Sequence, residues 1–443
     1  MTVLYQYIYG SDIGKTLRVN TISMLYYCKS TGEVSMEFEH KILERIIFIY
    51  TLLFIVVGLL MQTPKELLQG LTEIVSSSGI LISDYMVIGG IGPALVNAGL
   101  VGLIGLILIR INKVPMVGAS IAAIFTMIGF GLFGKNILTI FPSLFGVYLY
   151  SRYTRKEFKA YIFPALYGTA LAPIVSEVAI NSPFGILGGV LAGIAGGLIV
   201  PALAPHLLAA HEGHNLYNIG FTAGFAGLFI INLLRGFSFE PETLALWGTT
   251  FNTPIRWLTF GMLVSMIITG FILNGKSFKG YTDIFEQAGT AITDFVEIMG
   301  VGNTLINMGI VGIIGMLYIE LVGGDYNGAT LGGILTMVGF AAFGKQPKNI
   351  YPVMLGVYLG SVFSVFNAND PGPLLAALFV TTIAPLAGRY GALVGILAGF
   401  VHLSVVNFTG VLHGGLNLYN NGFTAGLVAT IFIGVIKGYT ERD

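Results

Sequence analysis

An all-α polytopic membrane protein is what this sequence predicts, built from two homologous halves. The halves read as inverted-topology repeats of about seven membrane segments each, with re-entrant or broken helices. Three observations lead there. The 443 residues are 55% hydrophobic and 10% charged, with mean hydropathy +0.83, outside the range of soluble domains. Apolar runs long enough to span a bilayer recur from about Ile46 to Ile436 without strict polar alternation, which selects helices over a barrel. Finally, the chain is written twice.

The duplication fixes the organisation. "SDYMVIGGIGPALVNAGLVGLIG" from Ser83 returns as "TDFVEIMGVGNTLINMGIVGIIG" from Thr293, at a constant offset of 210 residues. The register holds through "GASIAAIFTMIGFGLFGK" and "GATLGGILTMVGFAAFGK". "HEGHNLYNIGFTAG" from His211 then matches "HGGLNLYNNGFTAG" from His413 at an offset of 202. Residues 41–240 therefore form repeat 1, 241–251 a linker and 252–443 repeat 2. Residues 1–40 read as an extension without a signal-peptide pattern, and Met36 opens "MEFEHKILERIIF" as an alternative translation start.

Candidate segments in repeat 1 are 44–62, 94–110, 116–133, 138–151, 160–175, 184–204 and 219–235. Those in repeat 2 are 254–274, 304–320, 328–343, 350–366, 373–388, 391–411 and 422–437. The mixed stretches 63–93 and 275–303 read as interfacial or re-entrant. An odd number per half would turn the second half upside down.

Charge points the same way. Arg110, Lys113, Arg152, Arg155, Lys156 and Lys159 mark two loops of repeat 1, whereas the matching loops of repeat 2 carry Glu320, Asp325 and the cation-free "SVFSVFNAND". Cytoplasmic loops collect Lys and Arg, so equivalent loops face opposite sides. With the amino end inside, Lys276, Lys279, Lys345, Lys348, Arg389, Lys437 and Arg442 also fall inside, while Lys135, Arg235 and Arg256 fall outside. The expected location is a bacterial cytoplasmic membrane with both termini cytoplasmic.

Several motifs bear on chemistry. "GFGLFGKN" at Gly129 resembles a phosphate loop, but it and its copy "GFAAFGKQ" lack the Ser or Thr for Mg²⁺ and end apolar spans, so nucleotide binding is rejected. Lys135 and Lys345 read as cations snorkelling to the headgroups. The twice-written N-L-Y-N-x-G-F-T-A-G is the leading substrate-binding candidate: Asn215, Tyr217, Asn218 and Thr222, then Asn417, Tyr419, Asn420 and Thr424. Pro201 and Pro205 in one copy, and Gly410, Gly414 and Gly415 in the other, are expected to interrupt the preceding helix and free backbone groups. The following helices would then start near Gly220 and Gly422.

His211 and His413 join this set. The three-residue spacing of His211 and His214 is wrong for a zinc motif, so no metal is expected. Asp84, Asp294, Asn97 and Asn307 are paired candidates for ion binding or helix capping. Glu177 has no twin and reads as a loop carboxylate. Glycines 185, 189 and 193, matched by 391, 395 and 399, read as a helix-packing stripe.

Taken together, these residues resemble a bacterial family of multi-pass membrane proteins of unknown function, from Met36 onward. More distantly, two tandem halves with glycine-rich polar breaks are similar to the urea-channel family. That likeness implies inverted repeats and a central path for a small neutral solute.

The function expected is a transporter or channel moving a small polar solute through a site between inverted repeats. A Na⁺- or H⁺-coupled transporter of a small anion is the alternative, and an intramembrane enzyme or structural scaffold a second one. Paired polar residues leave no asymmetric catalytic set, so no catalytic residue and no cofactor is expected. The partners are the solute and the lipid bilayer; a homo-oligomer is compatible. The formal net charge of zero offers nucleic acid no basic surface, and the single cysteine, Cys28, excludes an internal disulfide framework.

Overall fold

A computed structural model describes residues 33–440. The extension up to residue 32, Cys28 and Arg442 lie outside the described residues. Repeat 1 contains α1 (Glu33–Met61), α2 (Pro64–Ser76), α3 (Tyr85–Ile88), α4 (Ile91–Ile111), α5 (Gly118–Phe130), α6 (Phe141–Tyr153), α7 (Ile162–Gly168), α8 (Ala172–Asn181), α9 (Gly185–His211) and α10 (Asn218–Arg235). Repeat 2 contains α11 (Asn252–Leu273), α12 (Phe295–Val322), α13 (Gly328–Phe340), α14 (Pro347–Val362), α15 (Pro371–Phe379), α16 (Ala384–Tyr390), α17 (Ala392–Leu412) and α18 (Asn420–Thr440). Among the described residues ten helices are long and apolar enough to cross a membrane, five in each half.

Every segment expected from the sequence is helical, and the short ones are short for a reason. α5 and α13 have 13 residues each, all buried. At about 1.5 Å per residue they reach roughly 20 Å, less than the hydrocarbon thickness of about 30 Å. They are therefore wrapped in protein rather than lipid. Two further spans are broken: a 3₁₀ turn, Thr169–Leu171, joins α7 to α8, and another, Val380–Ile383, joins α15 to α16. α12 merges the counterparts of α3 and α4 across Gly300, whose φ of 75° matches the 90° of Gly90.

The stretch 63–93 contains α2, an interfacial helix closed by a capping box between Thr63 and Glu66. Burial is confined to Leu67, Gly70 and Ile74, one side of that helix. The corresponding part of repeat 2 holds a 3₁₀ turn, Tyr281–Glu286.

Equivalent helices of the two halves cross at the centre, and their direction reveals the symmetry. A Cβ on Gly129 would lie 2.8 Å from the Gly332 carbonyl, and one on Gly339 would lie 3.1 Å from Ala122 Cα. Position 129 thus faces 332 while 122 faces 339, so α5 and α13 run antiparallel. In α10 and α18, a Cβ on Gly224 would lie 2.3 Å from the Phe423 ring and one on Gly426 would lie 2.1 Å from the Phe221 ring. These helices are antiparallel as well. A two-fold relation that reverses the spanning pair α10 and α18 has its axis in the membrane plane, so the halves are inverted.

The halves also complete each other's helices. Asp84 Oδ1 accepts Met86 N at 2.9 Å, capping α3, and its carboxylate also accepts the amides of Gly248 and Gly328, the latter opening α13. Asp294 Oδ1 accepts Val296 N at 2.9 Å, and Oδ2 accepts Gly118 N at 2.8 Å, where α5 begins. Each carboxylate answers the positive helix start of its own half and that of the other.

Candidate functional site

The glycine-lysine turns come first, because they depart most from the sequence expectation. Neither Lys135 nor Lys345 snorkels: their exposures are 1% and 0%. Gly134 and Gly344 adopt φ of 79° and 100°, a turn that a side chain would strain, and it directs the following lysine inward. Asn97 pins the first turn by donating Nδ2 to the carbonyls of Gly131 (2.6 Å) and Lys135 (3.1 Å). Asn307 does the same for Ala341 (2.7 Å) and Lys345 (2.8 Å).

Each lysine then meets the break of a broken span. Lys135 Nζ donates to Thr169 Oγ1 at 2.9 Å, and Lys345 Nζ donates to Thr381 Oγ1 at 2.7 Å. Both threonine hydroxyls donate onward, to the carbonyls of Leu166 and Leu378, which leaves their lone pairs for the ammonium. Lys345 also donates to Tyr217 Oη at 2.5 Å and sits over the Tyr217 and Phe340 rings. Lys135 sits over the Phe130 ring at 5.6 Å. Among the described residues neither lysine has a carboxylate within ion-pair distance.

The two Asn-Leu-Tyr-Asn loops meet between these lysines. α10 and α18 begin at Asn218 and Asn420, two residues before the expected glycines. Their first turns cross, with Gly220 against Tyr419 and Gly422 against Gly220 and Tyr217. Tyr217 and Tyr419 approach at 5.8 Å between ring centroids, Tyr217 rests on Phe340, and Tyr419 on Phe130. The structure thus brings Tyr217 and Tyr419 together from opposite halves, whereas the side chains of Asn218, Thr222, Asn420 and Thr424 bond within their own halves. A small cavity of about 30 Å³ between the tyrosines and Phe340 has room for a water-sized species.

The loops differ in how completely they are bonded. Asn215 is saturated: Nδ2 donates to the Gly422 carbonyl (3.2 Å), while Oδ1 accepts Tyr217 N (3.0 Å) and Thr382 Oγ1 (2.6 Å). His211 Nδ1 accepts Asn215 N, so the ring carries its proton on Nε2 and donates to Asn218 Oδ1 at 3.0 Å. Asn218 Nδ2 in turn donates to the Ala204 carbonyl at 3.0 Å. In the second loop Asn417 Oδ1 accepts Tyr419 N, but Asn417 Nδ2 and the Tyr419 hydroxyl have no partner although both residues are buried. His413 Nε2 reaches across to the Gly224 carbonyl at 3.0 Å, and its Nδ1 lies 3.3 Å from Asn420 Oδ1.

Beside the second loop lies a partly open cavity of about 200 Å³, bordered by His413, Asn417, Asn420, Asn421, Asn407 and Phe379. Leu81 and Thr243, in the loops that follow α2 and α10, and Gly372, in the first turn of α15, also border it. The smaller cavity of about 30 Å³ borders the first loop at Leu216, Tyr217 and Asn218.

Three further sequence expectations are corrected. Pro201 and Pro205 do not interrupt the chain but stay within continuous α9, where a membrane helix tolerates the lost N–H donors. In repeat 2 the helix does stop, at Leu412, before Gly414 and Gly415 with φ of 56° and 74°. Glu177 is not in a loop: it lies on α8, 3% exposed, accepting from Ser78 Oγ and from Asn181 Nδ2. Within the glycine stripe, Gly189, Gly193, Gly395 and Gly399 pack closely, but a Cβ on Gly185 or Gly391 would touch nothing.

Fold and site define an integral membrane protein made of two inverted helical repeats around a shared polar centre. A family model described as a protein of unknown function, DUF1576, matches residues 63–236 and 273–438, one match in each half. The chain belongs to this uncharacterised family. Comparison with curated proteins and with solved structures finds no match.

Proposed function

We propose that the protein transports a small polar solute across the membrane through the interface of its inverted halves. The observation that carries this reading is the unequal state of two equivalent loops. Both polar atoms of the Asn215 side chain are bonded, while its twin Asn417 holds a buried unpartnered amide nitrogen beside a cavity of about 200 Å³. Inverted repeats related by an in-plane axis can exchange these roles, and the exchange would expose the centre to the opposite side. A scaffold would gain nothing from polar atoms left unpaired at membrane depth.

The proposed orientation keeps both termini cytoplasmic. With Lys135 and Lys345 buried, neither belongs to the loop-charge tally. Lys65, Arg235 and Arg256 remain outside, and the last two are paired with Glu240 and Glu320. The inner side keeps Arg110, Lys113, Arg152, Arg155, Lys156, Lys159, Lys276, Lys279, Lys348, Arg389 and Lys437. The larger cavity then opens outward.

Uptake of labelled small neutral and anionic metabolites into proteoliposomes, with and without Na⁺, tests the reading. Wild-type protein should concentrate or equilibrate one of them, and Asn218→Ala and Asn420→Ala should each impair that uptake. Full uptake in both variants would reduce these amides to packing. Absence of any protein-dependent uptake would remove the transport reading.

A further inference from the structure

We infer that the centre of the molecule is an anion site, held by Lys135 and Lys345, and that the solute class is a small anion carrying a carboxylate or similar oxyanion group. The identification of that solute as cargo rests on the transport reading; the binding site itself does not.

The argument begins with cost. An ammonium buried in protein at membrane depth is expensive unless a counter-charge or several strong acceptors accompany it. Lys135 has one acceptor, Thr169, and Lys345 has two, Thr381 and Tyr217, against three N–H donors on each ammonium. Hydroxyls are neutral acceptors, and the acidic residues matched between the halves, Asp84 and Asp294, are occupied by helix-start amides. The lysines therefore retain unused N–H donors.

The surroundings repeat this bias. The Tyr419 hydroxyl has only the Thr126 hydroxyl as a polar neighbour, without a well-formed hydrogen bond between them, and the Asn417 amide N–H₂ is unpaired at the edge of the larger cavity. Tyr419 is 2% and Asn417 1% exposed. The starts of α10 and α18, with their positive dipole ends, cross at the same place. Unused donors from both halves thus gather here. Each component, lysine, threonine and tyrosine, is present in both copies, as expected if one ancestral site was duplicated. Tyr217, the partner of Lys345, and Tyr419 line the cavity of about 30 Å³, and Asn417 lines that of about 200 Å³; these volumes limit the ligand to a few heavy atoms, given about 30 Å³ for each water in the liquid.

Thermal melting of the purified protein tests this. Sodium formate, acetate, chloride, nitrate and phosphate are compared with sodium gluconate, a bulky reference anion, at equal Na⁺ and ionic strength. At least one small anion should raise Tm saturably, as a ligand specific to the native state does. Lys135→Met and Lys345→Met should each abolish the saturable part. If those variants do not fold, Tyr419→Phe and Asn417→Leu should each raise the half-saturating concentration by about three- to tenfold, the loss of one hydrogen bond. Equal Tm in every salt, or a saturable rise that survives in the variants, overturns the site. The two readings separate cleanly: anion binding without uptake sinks transport and keeps the site, whereas uptake of a neutral solute without anion binding does the reverse.

Discussion

The first Asn-Leu-Tyr-Asn loop and the second share nearly the same residues, yet Asn215 is bonded at every polar atom while Asn417 is not. Their contexts explain the difference. α9 has 27 residues and leads into "HEGH", where His214 stacks on Tyr390 at 5.5 Å and closes the loop from the side. α17 has 21 residues and leads into Gly414 and Gly415, whose φ of 56° and 74° repeat the 51° and 77° of Glu212 and Gly213, so the backbone turn is shared and the change is Leu416 in place of that histidine. The same motif is thus locked by one approach and left open by the other. Sequence identity within the motif does not impose one bonding state, which is what two interchangeable gates require.

The largest way to break this comparison is to block the crossing itself. Gly224→Ala and Gly426→Ala each drive a methyl into a phenylalanine ring of the other half, and overpacking of that kind costs about 1–3 kcal/mol. Both variants should melt well below wild type, by similar amounts because the contacts are symmetric. A large drop in one and none in the other would show that the crossing is not shared equally.

Next in size is the contrast between the two asparagines. Asn218→Ala leaves the His211 Nε2–H and the Ala204 carbonyl unpaired in a closed site, a loss of about 1–3 kcal/mol. Asn420 borders the cavity, where solvent can replace its bonds of 3.3 Å to His413 and Val406. Asn420→Ala should therefore lower Tm much less. Equal destabilisation would contradict an open second loop.

The smallest effect concerns the helix that only repeat 1 possesses. The backbone amide of Thr63, followed by its hydroxyl, holds the Glu66 carboxyl below its ordinary range. A depressed folded-state pKa gives stability that is fully present above the unfolded value, about 4.3 for glutamate, and is lost as pH falls through the lower folded value. Relative to unstructured peptide at the same pH, amides at the start of α2 should lose protection from hydrogen exchange on acidification through that window, while the 3₁₀ turn at Tyr281–Glu286 lacks this capping-box response. Glu66→Gln should make α2 insensitive to pH there.

Much of this architecture was readable from residues alone. Apolar runs and the offset of 210 located all the helical segments and both halves, and loop charge indicated inversion. Burial was harder. A lysine ending an apolar run looks alike whether it snorkels or turns inward, and local hydropathy holds no information about what packs over it. The available signal was the pairing of "FGK" with Thr169 and Thr381, both repeated at matching positions. Glu177 was misplaced because its partner Ser78 is 99 residues away. The open and shut loops were invisible because their motifs are almost identical and the difference lies in the helices that deliver them.

The most direct test of inverted halves around a shared chamber is the side from which equivalent positions can be reached. In a Cys28→Ser background, Asn421→Cys and its counterpart Ile219→Cys are probed in sealed vesicles with a membrane-impermeant thiol reagent. Asn421→Cys should react readily from the outer face, and Ile219→Cys more slowly and only from the inner face. Reaction of both from the same face would contradict the account.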